Sequence, residues 1–170
     1  MLFPSISLAN ETVGTNEKKE IKKEAFGMLS FDAGKDRFDY SNARTGINVV
    51  FYNSAHPNVY GQVGAIYFFG AEKDTIYNFA GGEITFGYQY PSFISPFAGL
   101  NLIFGESSTC DNAGEICGDG RMLGLNPELG LSLKIKGNHD TYIFRTYARR
   151  YFISGANDFY SIGIDIGVQL

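Results

Sequence analysis

The strongest constraint in this sequence is a two-residue period in polarity, recurring in segments of about ten residues from position 25 to the C-terminal Leu170. Between Arg121 and Lys136, Leu123, Leu125, Pro127, Leu129, Leu131, Leu133 and Ile135 share one face, while Gly124, Asn126, Glu128, Gly130, Ser132 and Lys134 share the other. Between Asp158 and Leu170, Tyr160, Ile162, Ile164, Ile166, Val168 and Leu170 alternate with Ser161, Gly163, Asp165, Gly167 and Gln169. A third case sets Ile84, Phe86, Tyr88 and Tyr90 against Glu83, Thr85, Gly87 and Gln89. Successive side chains of a strand point to opposite faces, so this period predicts strands and no helix. Eight are predicted: Ala25–Ala33, Arg44–Asn53, Val59–Phe69, Thr75–Tyr90, Phe93–Gly105, Arg121–Lys136, Thr141–Ile153 and Asp158–Leu170.

A chain of 170 residues suffices for one hydrophobic core and not for two. Charged residues make up 19%, below the roughly 25% of soluble domains, and the net charge is -4. No basic surface exists to neutralise a run of phosphates, so nucleic acid is excluded as a partner. No apolar run reaches the roughly 18 residues of a membrane-spanning helix. The other structure that can cross a bilayer is a closed barrel, whose backbone groups are all paired between strands.

A soluble sandwich also alternates in polarity, but its polar face meets water and carries long charged side chains. Here the polar face is mostly Gly, Ser and Asn with scattered charges. That suits the crowded interior of a narrow barrel, with the apolar face turned to lipid. Link lengths agree. Ser54–Asn58, Pro91–Ser92 and Gly137–Asp140 are short, whereas Gly34–Ala43 and Glu106–Gly120 are longer and polar. Short turns at one end and longer loops at the other are the pattern of a transmembrane barrel. The expected fold is a closed eight-stranded antiparallel up-and-down barrel over 25–170.

Met1–Ala9 is apolar and ends Ser7-Leu8-Ala9, small-x-small as a signal peptidase prefers, without a positive n-region. It reads as a signal-peptide remnant, with an ordinary N-terminus as the alternative. Residues 10–24 form a polar, charge-rich segment.

On these features the chain resembles the small eight-stranded outer-membrane barrels, the OmpA transmembrane domain and OmpX among them. The most specific element is the last strand, with Tyr160, Ile162, Ile164, Ile166, Val168 and Leu170 at every second position. In that family such a strand ends in an aromatic residue and is read by the barrel-insertion machinery; here Leu170 takes the aromatic place, and the sequence has no Trp. The resemblance implies the bacterial outer membrane, with its lipid and lipopolysaccharide, as the protein's surroundings.

The barrel reading brings five charges together. A hairpin across Gly137–Asp140 that pairs Lys136 with Thr141 puts Glu128 directly opposite Arg149, both pointing inward. Arg145 shares the face of Arg149, Asp165 comes within one pairing step of Arg145, and Glu83 faces in from the far wall. These five residues are read as a plug of paired charges. A polar conduit or a buried binding site is the alternative, but eight strands enclose a lumen that side chains fill.

Catalytic chemistry fails on inventory. The two histidines, His56 and His139, fall in short turns, away from the strand-borne Ser that a lipid-modifying barrel enzyme activates. Arg145 and Arg149 would hold Glu83, Glu128 and Asp165 ionised, against use as a general acid. No phosphate-binding loop, His-Glu-x-x-His or Cys-x-x-Cys occurs, and no cofactor or metal is expected. Cys110 and Cys117, the chain's two cysteines, are expected to form a disulfide clamping the fifth link. Asp111, Glu115 and Asp119 nearby do not have calcium-loop spacing. Arg150 is placed outward near the loop end, either meeting a lipopolysaccharide phosphate or snorkelling.

The expected role is therefore a plugged, non-enzymatic outer-membrane barrel that meets a surface or host partner through its loops. A soluble lipocalin-like barrel with an apolar ligand and a lipid A-modifying enzyme are the alternatives.

Overall fold

In the computed structural model, residues 24–36, 41–53, 55–72, 75–111, 117–154 and 158–170 are described, and the eight predicted segments are eight strands. They are β1 (Ala25–Asp36), β2 (Ser41–Tyr52), β3 (Val59–Glu72), β4 (Thr75–Gln89), β5 (Ile94–Asp111), β6 (Cys117–Lys136), β7 (Thr141–Tyr151) and β8 (Phe159–Gln169). Each pairs antiparallel with the next, and β8 closes on β1 with Phe26 opposite Gln169. Closure leaves no sheet edge, which is the condition for strands in lipid. The expected signal-peptide remnant at 1–9 and the polar segment at 10–24, apart from Glu24, lie outside the described residues.

Three tight turns and both ends of the wall gather at one end of the barrel. Asn53 Oδ1 accepts the amides of Ala55 (2.9 Å) and His56 (3.1 Å), and Val59 N donates to His56 O (2.8 Å), which together build the β2–β3 turn. Tyr90 N donates to Pro96 O (2.8 Å) and Gly137 N to Asp140 O (2.7 Å), which sets the register of β4 on β5 and of β6 on β7. Leu170 N donates to Ala25 O (2.9 Å), so the last residue is still tied to the first strand.

The longer links differ from expectation. Glu106–Gly120, predicted as a loop, is mostly strand: β5 and β6 stay paired up to Cys110 opposite Cys117. Glycine and serine weaken intrinsic strand preference, but the register set lower in the wall and the cross-strand disulfide carry the pairing onward. The β1–β2 link shortens in the same way, with Lys35 opposite Ser41. Strand β7 stops at Tyr151 rather than Ile153, although Ile153 still bridges Gly124 in the same register. Continued by one residue beyond Glu128 and Arg149, that register places Pro127, which has no N–H, opposite Arg150, and the ladder breaks there.

Polarity is inverted relative to a soluble protein. Ile162 is 72% exposed, Leu129 66% and Phe86 65%, whereas Glu83 is 1% exposed. Inside, Phe26, Val50, Tyr52 and Phe97 cluster at the turn end, and Phe68, Phe79, Tyr151 and Phe159 cluster at the loop end. A layer of charge lies between.

Candidate functional site

The interior charges form one connected layer. Glu128 and Arg149 occupy paired positions on β6 and β7, and the Glu128 carboxylate accepts from Arg149 Nη2 at 2.5 Å and Nε at 3.1 Å. Arg145 stands opposite Asp165, with 3.6 Å between Nη1 and Oδ2. It donates to Gln62 Oε1 at 2.8 Å, lies 3.5 Å from Glu128 Oε1, and stacks 4.0 Å over the ring of Phe97. Glu83 projects from the far wall to within 3.6 Å of Arg149 Nη1, and Asn101 Nδ2 donates to it at 2.7 Å. The sequence-derived set of Glu83, Glu128, Arg145, Arg149 and Asp165 is thus brought together in one place.

Two members of this layer escape the sequence reading. Arg44, on β2, donates to Asp32 of β1 at 3.2 Å and forms a short ion pair with Glu83. Asp32 Oδ2 also accepts from Tyr151 Oη at 2.8 Å and Tyr147 Oη at 3.3 Å. Among the described residues the buried charges are then four carboxylates and three guanidiniums. Burying ions unpaired costs several kcal/mol each, so mutual pairing is what makes this interior tenable. Asp32 shares the inner face of β1 with Ser30, but that face also carries Phe26 and Met28, so polarity alone does not mark it. Arg44 lay at the edge of its predicted strand.

Tyr60, on β3, reaches this layer across two intervening strands, β4 and β5. It stands opposite Gly87, Gly87 is opposite Gly99, and Gly99 is opposite Glu128. A Cβ on Gly87 would lie 2.4 Å from the Tyr60 ring, and one on Gly99 would lie 2.6 Å from its hydroxyl. The two glycines therefore open a slot in which the ring lies flat, and Tyr60 Oη donates to Glu128 Oε1 at 3.1 Å. At the turn end, Lys134 Nζ pairs with Glu24 at 2.7 Å and sits 3.7 Å over the ring of Tyr52.

Outside, the apolar belt has a visible upper limit. Along β5 and β6 the outward residues change from Phe104 and Leu123 to Glu106 and Arg121, then to Ser108 and Asp119. Beyond that line the β5–β6 ribbon stays paired with β4, Asn78 opposite Ser108 and Thr75 opposite Asp111, and Cys110 and Cys117 are disulfide-bonded near its tip. Residues 112–116, including the loop acid Glu115, lie outside the described residues. His56 and His139 both occupy exposed turns at the opposite end of the barrel. Arg150 faces outward, 3.4 Å from Asp158, as its strand parity predicts.

No family model matches the chain, and no curated protein is similar to it in sequence. Solved structures are similar in fold. Neisserial surface protein A (NspA) superposes with a TM-score of 0.61 at 12% identity, over 87% of this chain and 96% of that one. Ail, the attachment invasion locus protein of Yersinia pestis, superposes with a TM-score of 0.56 at 8% identity, over 87% of this chain and 98% of its own. The chain has the fold of the small eight-stranded outer-membrane barrels. An outer-membrane barrel requires the inverted polarity found here. Ail has also been solved in complex with the heparin analogue sucrose octasulfate, with a TM-score of 0.52 at 12% identity over 86% of this chain and 96% of that one.

Proposed function

We propose that this chain is a non-conducting, non-enzymatic outer-membrane barrel that serves as a structural and surface-interaction protein, presenting its β5–β6 ribbon outside the membrane. The observation that carries this reading is the interior layer of four carboxylates and three guanidiniums, closed at either end by aromatic side chains. A conduit needs a continuous aqueous path, and paired charges packed between two aromatic clusters count against one. A lipocalin-like ligand site would require apolar residues inside and polar ones outside, the reverse of this wall. The lipid-modifying alternative is disfavoured because both histidines lie in the turns, at the end away from the ribbon.

The β5–β6 ribbon continues past the apolar belt, backed by β4 as far as Thr75 opposite Asp111. The ribbon bears Glu106, Asp119 and Arg121, and in sequence the acids Asp111 and Glu115. This charge suits a cationic or neutral partner better than a sulfated one. The test is recording from the purified protein in planar lipid bilayers. The expected result is a flat baseline; sustained ohmic steps would contradict the plug.

A further inference from the structure

Just above the apolar belt, four strands share a polar hollow on their outer face. Tyr67 of β3 stands opposite Ala80 of β4, Ala80 opposite Glu106 of β5, and Glu106 opposite Arg121 of β6. The next outward row toward the loops continues with Asn78 opposite Ser108 and Ser108 opposite Asp119. At about 3.3 Å per residue, the two rows lie about 7 Å apart. Ala80 is a small side chain between Tyr67 and Glu106, and the space it leaves belongs to a hollow of about 550 Å³. That volume falls within the roughly 300–1,000 Å³ of small-molecule sites.

The groups around the hollow have hydrogen-bonding capacity to spare. Among the described residues, Glu106, Asp119 and Arg121 have no ion-pair or hydrogen-bond partner. Tyr67 Oη donates to Asn78 Oδ1 at 3.2 Å, which ties the half-exposed ring along one side of the hollow. Carboxylates only accept, a guanidinium only donates, and the tyrosine offers an apolar ring face. An anionic headgroup would meet two carboxylates against one guanidinium. A cationic one would leave Arg121 without an acceptor. Sugar hydroxyls both donate and accept, so one ring can satisfy all three charged groups while its C–H face lies on Tyr67.

Directly below the hollow, the outward row is Ala65, Gly82, Phe104 and Leu123, at the top of the apolar belt. A Cβ on Gly82 would lie 2.7 Å from the Phe104 ring, so that ring folds across the glycine. A hydrocarbon chain hanging from the hollow would lie over Ala65 against the ring. We propose that this hollow binds the uncharged sugar headgroup of a glycolipid in the loop-side leaflet, its hydroxyls held by Glu106, Asp119 and Arg121 and its ring stacked on Tyr67. The inference rests on the membrane-spanning reading above. It goes beyond that reading by assigning a ligand class to one place on the wall.

The experiment offers the purified protein, in a detergent without sugar groups, three lipids with the same acyl chains: monoglucosyl diacylglycerol, diacylglycerol and phosphatidylglycerol. Retained lipid is counted by native mass spectrometry. The glucosyl lipid is expected to be retained in preference to both others. Glu106→Gln combined with Asp119→Asn is expected to lower its retention roughly tenfold, through the loss of hydrogen bonds to charged groups. Ala80→Phe, which fills the hollow, is expected to abolish the preference, and Ala148→Phe on the outer face of β7 to leave it unchanged. Each variant is first checked for the unboiled gel mobility of the wild type, which separates failure of this site from failure of the barrel. Equal retention of the glucosyl lipid and diacylglycerol, a preference for phosphatidylglycerol, or unchanged glucosyl-lipid retention in the carboxylate variant or in Ala80→Phe would overturn the proposal. So would displacement of the glycolipid by an equal concentration of free maltose.

Discussion

Glu128 and Arg149 face each other directly across β6 and β7, and 2.5 Å separates the Glu128 carboxylate from the Arg149 guanidinium inside the barrel. Each has other partners too. Glu128 accepts from Tyr60, and Arg149 donates to Tyr151 at 3.0 Å. The pair is thus the junction of the interior layer. Glu128→Ala is expected to destabilise the barrel by about 3–5 kcal/mol, because it strands a buried guanidinium. Adding Arg149→Ala should restore part of that loss, read as a coupling in a double-mutant cycle of urea unfolding from lipid vesicles. Strictly additive losses would count against the pairing.

The Gly87–Gly99 slot makes a steric claim. Gly99→Ala places a methyl group against the Tyr60 hydroxyl and Glu128 Oε1, at 2.6 and 2.9 Å before relaxation. The expected cost is about 1–3 kcal/mol of unfolding free energy. In a Tyr60→Phe background, where the hydroxyl is gone, the same substitution should cost less. Equal cost in both backgrounds would show that the slot does not serve Tyr60.

Lipid exposure can be mapped by charge. Ile164→Arg puts a guanidinium on the outer face well inside the apolar belt and is expected to cost about 2–4 kcal/mol, whereas Ser108→Arg on the ribbon should cost close to nothing. Unfolding titrations of the two variants in the same vesicles give the comparison. Similar losses at both positions would move the membrane boundary.

Reduction of the Cys110–Cys117 bond is expected to leave the barrel intact, because β1 to β8 close without it. The ribbon tip loses its clamp, so proteolysis between the two cysteines should accelerate on reduction while unboiled gel mobility stays unchanged. Loss of that mobility on reduction would mean that the disulfide holds the wall itself.

Much of this architecture was legible because a two-residue period marks both the strand and its buried face. Glu128 and Arg149 could be paired in advance because one four-residue turn sets their register and Pro127 interrupts it only beyond them. Asp32 and Arg44 were harder. The inner face of β1 begins with Phe26 and Met28 while its outer face carries Leu29 and Phe31, so polarity does not tell the two faces apart. Residues 106–120 carry no alternation in their run of Ser, Gly and Asp, and their pairing is inherited from the strands below.

The most direct measurement of the central claim, that the polar side chains face inward and the apolar ones outward, is extraction and gel mobility of the intact chain. The expected result is a protein that requires detergent and migrates faster before boiling than after. A monomer fully soluble in detergent-free buffer, with a single mobility, would contradict it.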